Sequence, residues 1–82
     1  MKANVYVTLK TEVLDPQGEA VRRALGALGF PGVTNVRVGK LIELEFAPGS
    51  ASDAPTQLRA MCEKLLANPI VEDFRFEFDP GA

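Results

Sequence analysis

The sequence predicts an α+β domain in the order strand, helix, strand, strand, helix, strand. Three observations carry that expectation. Four stretches alternate apolar and polar residues with period two, two stretches repeat apolar residues at helical spacing, and proline or glycine stands at the joints between them.

The first strand is expected over residues 4–10, where Val5, Val7 and Leu9 fall on one face and Tyr6, Thr8 and Lys10 on the other. Asp15 then offers a carboxylate to the free N–H groups of a helix beginning at Pro16, whose missing N–H costs nothing in a first turn. Val21, Ala24, Leu25 and Leu28 form the apolar stripe of this helix, Arg22 and Arg23 point outward, and Gly29 ends it ahead of Phe30-Pro31. Gly18 and Gly26 lie inside it at a cost of about 1 kcal/mol each relative to alanine, which points to close approach by another segment.

A hairpin is expected at the centre of the chain, over residues 36–46. Val36 and Val38 flank Arg37, while Ile42, Leu44 and Phe46 alternate with Glu43 and Glu45, so Gly39-Lys40 reads as a two-residue turn. Residues 47–54 are small and polar, and Ser52 or Asp53 can cap a second helix with Pro55 in its first turn. Leu58, Met61, Cys62 and Leu65 are its expected stripe. Asn68-Pro69 stops it, because proline disfavours helical geometry in the preceding residue. Ile70, Phe74, Phe76 and Phe78 then share one face of a last strand, opposite Val71, Asp73, Arg75 and Glu77. Right-handed crossovers fold this order into the ferredoxin-like arrangement βαββαβ, a four-stranded antiparallel sheet with two helices on one face. The other face, carrying Tyr6, Leu41, Glu43 and Arg75, is left uncovered.

Eighty-two residues make one domain, 1–82, which by itself would bury only about 60–65 % of its unfolded surface. Oligomerisation would strengthen it. A net charge of −2 supplies no basic field for phosphates, so nucleic acid is not an expected partner. No apolar run is long enough to span a bilayer and the first residues lack a signal-peptide core, so a cytoplasmic protein away from the membrane is expected. Its single cysteine fits a reducing compartment.

The chain has no histidine, which removes the commonest general base and metal ligand together. Cys62 sits on an apolar stripe and reads as a buried structural thiol. Glu43 and Glu45 share a strand face as a catalytic carboxylate pair would, but so short a chain has no insertion to build a pocket around them. Asp73, Arg75 and Glu77 share a face too, and cross-strand ion pairing with Lys10 or another neighbour accounts for them. The aromatic pattern of RNA-recognition domains, the paired cysteines of metal chaperones and the phosphate loop of acylphosphatases are all missing. What remains is a binding, regulatory or assembly module.

The stretches Val7-Thr8-Leu9-Lys10, Val13-Leu14-Asp15-Pro16-Gln17-Gly18, Val36-Arg37-Val38-Gly39-Lys40-Leu41-Ile42-Glu43-Leu44 and Leu65-Leu66-Ala67-Asn68-Pro69-Ile70-Val71-Glu72-Asp73-Phe74 closely resemble the PurS family. That family is the small subunit of bacterial and archaeal phosphoribosylformylglycinamidine (FGAM) synthase. The similarity runs from about Val5 to Phe76 and is weakest over residues 47–57. It implies a place in the fourth step of purine synthesis, where formylglycinamide ribonucleotide (FGAR), glutamine and ATP give FGAM. A PurL-type synthetase subunit uses ATP and magnesium there, a PurQ-type glutaminase subunit releases ammonia, and the PurS-type subunit binds no cofactor and catalyses nothing. It forms homodimers or homotetramers and keeps ammonia transfer coupled. Asp15, Gln17, Arg37, Gly39, Lys40, Asn68 and Pro69 are the expected contact residues, although Asp15, Gly39 and Pro69 could equally shape a cap or turn. The alternatives are a small-molecule-binding regulatory domain of the ACT type, with the same element order, and a small enzyme using the Glu43 and Glu45 face.

Overall fold

The computed structural model describes residues 1–49 and 51–79. Strand β1 (Lys2–Leu9) is central, flanked by β2 (Gly39–Glu45) and β3 (Glu72–Asp79) in the order β2-β1-β3, both pairings antiparallel. Val5 stands opposite Ile42 on one side and Phe76 on the other, so the alternation of each strand places its apolar residues on one common face.

Helix α2 (Ala54–Met61) covers that face. Ala3, Val5, Val7, Leu58 and Cys62 are fully buried there, with Ile42, Leu44, Phe74, Phe76 and Phe78 packed around them. Burial of a side chain such as Leu58 stabilises the sheet–helix contact by about 1.5–3 kcal/mol. The Arg59 guanidinium lies 5.5 Å from the Phe76 ring centre and 5.9 Å from that of Phe74, closing the edge of this core.

A π-helical turn (Cys62–Leu66) continues α2. The extra residue in such a turn advances the stripe by about one position, so Leu66 packs against the core and Leu65, expected inside, is 82 % exposed. The helical segment stops before Asn68-Pro69, as expected, and the last strand begins at Glu72, which leaves Ile70 outside it and exposed. Of the loop expected over 47–54, Ser50 lies outside the described residues.

Helix α1 (Pro16–Ala27) starts and stops where the sequence places it, with Asp15 as N-cap and Gly29 at φ +99° beyond its end. It does not lie on the sheet. No α1 residue joins the core, Val21 is partly exposed, and Leu28 is 72 % exposed. Instead α1 and residues 28–38, which run back to its first turn, form an arm beyond the end of the sheet. The molecule is 51 Å long with a radius of gyration of 16.2 Å, where a compact chain of this length has about 12 Å.

Three expectations are corrected here. Among the described residues the sheet has three strands, and residues 36–38 pair with none of them. The Val38 N–H is taken by the Asp15 carboxylate, 2.8 Å away, and the Val36 carbonyl packs on Gly18, so this segment is held to the arm and not to β2. Gly39 and Lys40 form no hairpin turn; they open β2, opposite Thr8 and Val7. The expectation of both helices on one sheet face fails for α1 for the same reason. The open face is as the sequence reads it, with Tyr6 between Leu41 and Arg75 and the Arg75 guanidinium 4.0 Å from the Tyr6 ring centre. Lys10 pairs with Asp73 at 2.9 Å, and Lys2 with Glu43 at 3.6 Å.

Candidate assembly surface

The expected contact residues all fall at one end of the sheet, where the arm meets it. Gly39 and Lys40 stand opposite Thr8 and Val7, Glu72 stands opposite Leu9, and the Lys10 N–H donates to the Val71 carbonyl at 2.9 Å, which brings the Asn68-Pro69 turn to the same end.

Their roles differ. Asp15 is only 6 % exposed. Its Oδ1 accepts the Gly18 N–H at 3.0 Å and its Oδ2 the Val38 N–H at 2.8 Å, so one carboxylate caps α1 and ties down the returning chain. Those N–H groups, Val38 first, hold its carboxyl below the ordinary value, helped by the Arg37 charge. Arg37 has a structural task that the sequence did not reveal. Its Nη2 donates to the carbonyls of Lys10 at 2.8 Å, Val13 at 3.1 Å and Leu9 at 3.3 Å, gathering the loop between β1 and α1. A Cβ on Gly39 would stand 2.5 Å from the Val7 carbonyl oxygen, so only glycine fits at that register.

Asn68 builds its own turn. Its Oδ1 accepts the Ile70 N–H at 3.1 Å, its carbonyl accepts the Glu72 N–H at 2.7 Å, and its N–H donates to Glu72 Oε1 at 2.7 Å. Pro69 is exposed beside it. Gln17 and Lys40 are exposed, and neither side chain has a hydrogen-bond or ion-pair partner among the described residues.

The sequence reading missed the apolar part of this surface. Leu14, next to Asp15, is 78 % exposed, Ile70 follows Pro69 into solvent, and Leu28 and Phe30 are bare at the far end of the arm. Leu28 was expected on a covered helix stripe and Ile70 on a strand face, and the placement of α1 and the start of β3 at Glu72 leave both bare. On the arm, Glu19 pairs with Arg22 and Arg23, which hold its carboxyl down at about 2. Burial pushes the Cys62 thiol up, consistent with an inert structural cysteine. Among the described residues no His, Cys, Asp or Glu group is placed to hold a metal, and no helix is long and apolar enough to cross a membrane.

The PurS family model, described as phosphoribosylformylglycinamidine (FGAM) synthase, matches residues 2–80. The chain belongs to the PurS family. The PurS subunit of phosphoribosylformylglycinamidine synthase from Bacillus subtilis is 47 % identical over 78 residues, 95 % of this chain and 92 % of the relative. A crystal form of B. subtilis PurS superposes with a TM-score of 0.82 at 49 % identity, covering 93 % of this chain and 94 % of its own. A chain in the structure of PurLQS from Thermotoga maritima superposes with a TM-score of 0.82 at 33 % identity, covering 93 % of both chains. The uncovered 7 % (100 − 93) of this chain is shorter than the 12-residue α1, so the PurS likeness takes in the arm as well as the sheet.

Proposed function

We propose that this chain is the non-catalytic assembly subunit of an FGAM synthase, the enzyme that converts FGAR, glutamine and ATP to FGAM in purine biosynthesis. The observation that carries this reading is the whole-chain likeness to PurS, including the PurS-like chain of a PurLQS structure. Its partners are a PurL-type synthetase subunit, which holds the ATP and magnesium, and a PurQ-type glutaminase subunit, which releases ammonia. Ammonia must pass between these two active sites without escape to solvent, so their alignment is part of catalysis and a separate aligning subunit has a physical purpose. The site of action is the cytoplasm.

The geometry supports two kinds of contact. The arm carries bare Leu28 and Phe30, and a thin three-stranded sheet with one covering helix is a small core for its length, so a second copy of the chain is the proposed cover in a homodimer or homotetramer. The end where Gln17, Lys40 and Pro69 are free, beside Leu14 and Ile70, is the proposed surface for the enzyme subunits. Size-exclusion chromatography of the synthetase and glutaminase subunits from the same source checks the assembly. Addition of this chain is expected to bring both into one peak. Continued separate elution of both, with and without glutamine and nucleotide, would reject the proposal.

A further inference from the structure

One cleft lies under the root of the arm, on the helix-bearing side of the sheet at the end that α2 leaves uncovered. It has a volume of about 270 Å³, just below the range of about 300–1,000 Å³ for pockets that take drug-sized molecules. Leu9 and Val38 give it an apolar floor with buried Val7 behind them, and Gln17, Lys40 and Glu72 stand around it.

The polar groups are unequal in what they have left to give. Asp15, which also lines the cleft, spends its carboxylate oxygens on the Gly18 and Val38 N–H groups. Glu72 Oε1 accepts the Asn68 N–H, and its second oxygen has no partner among the described residues. The Lys40 ammonium and the Gln17 amide have none there either. The walls therefore present unused donors and an unused acceptor of opposite charge over an apolar patch. A simple anion would meet the Asp15 and Glu72 carboxylates, and a simple cation would meet Lys40. A small zwitterion satisfies both signs.

We propose that this cleft binds a free α-amino acid, its carboxylate on Lys40 and the Gln17 amide, its ammonium on Glu72, and its side chain on Leu9 and Val38. The cleft shares Gln17 and Lys40 with the proposed surface for the enzyme subunits, but its lining is complete within one chain and its test needs no synthase subunit.

The test is a titration of the isotope-labelled full chain, followed by the amide resonances of Val7, Leu9, Val38 and Lys40. Leucine, glutamine and glutamate serve as probes, beside isovalerate and isoamylamine as ligands carrying one charge each. Saturable shifts at these positions are expected with at least one amino acid, with either single-charge analogue about tenfold or more weaker. Lys40→Ala and Glu72→Gln are each expected to weaken binding by a similar factor. The amide oxygen that Glu72→Gln introduces can still accept the Asn68 N–H, so that variant keeps its turn. Absence of saturable shifts with every amino acid tested would overturn the proposal, as would binding unchanged in Lys40→Ala. It would equally be overturned if these resonances moved only with protein concentration, because the cleft would then be filled by a second copy.

Discussion

At Gly18 an added Cβ would stand 2.1 Å from the Val36 carbonyl oxygen, whereas at Gly26 it would meet nothing within 4 Å among the described residues. These two glycines, indistinguishable by helical position alone, therefore separate on substitution. Gly18→Ala is expected to destabilise by about 1–3 kcal/mol through forced displacement of the returning chain. Gly26→Ala is expected to stabilise by about 0.5–1 kcal/mol, because only the helix propensity changes. Urea denaturation of both variants checks the pair. Arg37 and Lys40 separate in the same way. Arg37 holds loop carbonyls and Lys40 holds nothing among the described residues, so Arg37→Ala should lower the midpoint of thermal unfolding while Lys40→Ala leaves it unchanged. Sequence alone gave both cations the same status, since an arginine reaching backbone carbonyls far away along the chain leaves no local pattern.

The elements show where sequence reasoning succeeds and why it stops. Asp15-Pro16 and Gly29 bounded α1 correctly because caps are local chemistry, decided within a turn by groups adjacent in the chain. Strand faces were legible for the same reason, as the pairing of Tyr6 with Leu41 and Arg75 shows. The location of α1 was not legible, because a stripe of Val21, Leu25 and Leu28 records that a face must be covered and not by what. Residues 36–38 alternate as a strand does, yet the Asp15 carboxylate competes for the Val38 N–H and wins. The π-helical turn was also invisible, and it makes a prediction of its own. Leu66→Ala should cost about 1–3 kcal/mol, scaled down from a fully buried leucine, and Leu65→Ala less than about 0.5 kcal/mol. The arm responds to acid. Asp15 and Glu19 titrate below their ordinary values of 3.8 and 4.5 in the folded chain, Glu19 at about 2. Their contribution is complete above about pH 5 and is lost as the pH falls through the folded values. Amide protection factors in α1 should therefore fall on acidification before those in β1, and an equal fall in both would contradict the Asp15 and Glu19 assignments.

The whole molecule is a thin sheet, one covering helix and an arm whose apolar side faces water. A chain so built gains by association, and its family supplies the setting in which association has a use. Leu28 lies on the arm's bare side, so Leu28→Asp should leave the helical circular dichroism intact while sedimentation velocity shows a smaller species than the parent chain. An unchanged sedimentation coefficient would remove the arm from the contact between copies. On the proposed reading, function enters at the next level up, in the alignment of the synthetase and glutaminase subunits. Glutamine-dependent FGAM synthesis by PurL-type and PurQ-type subunits from the same source, measured with and without this chain, tests that most directly. Synthesis from glutamine that appears only when the chain is added, beside ammonia-dependent synthesis that proceeds without it, is the predicted result. Equal glutamine-dependent rates in its presence and absence would contradict the assembly role.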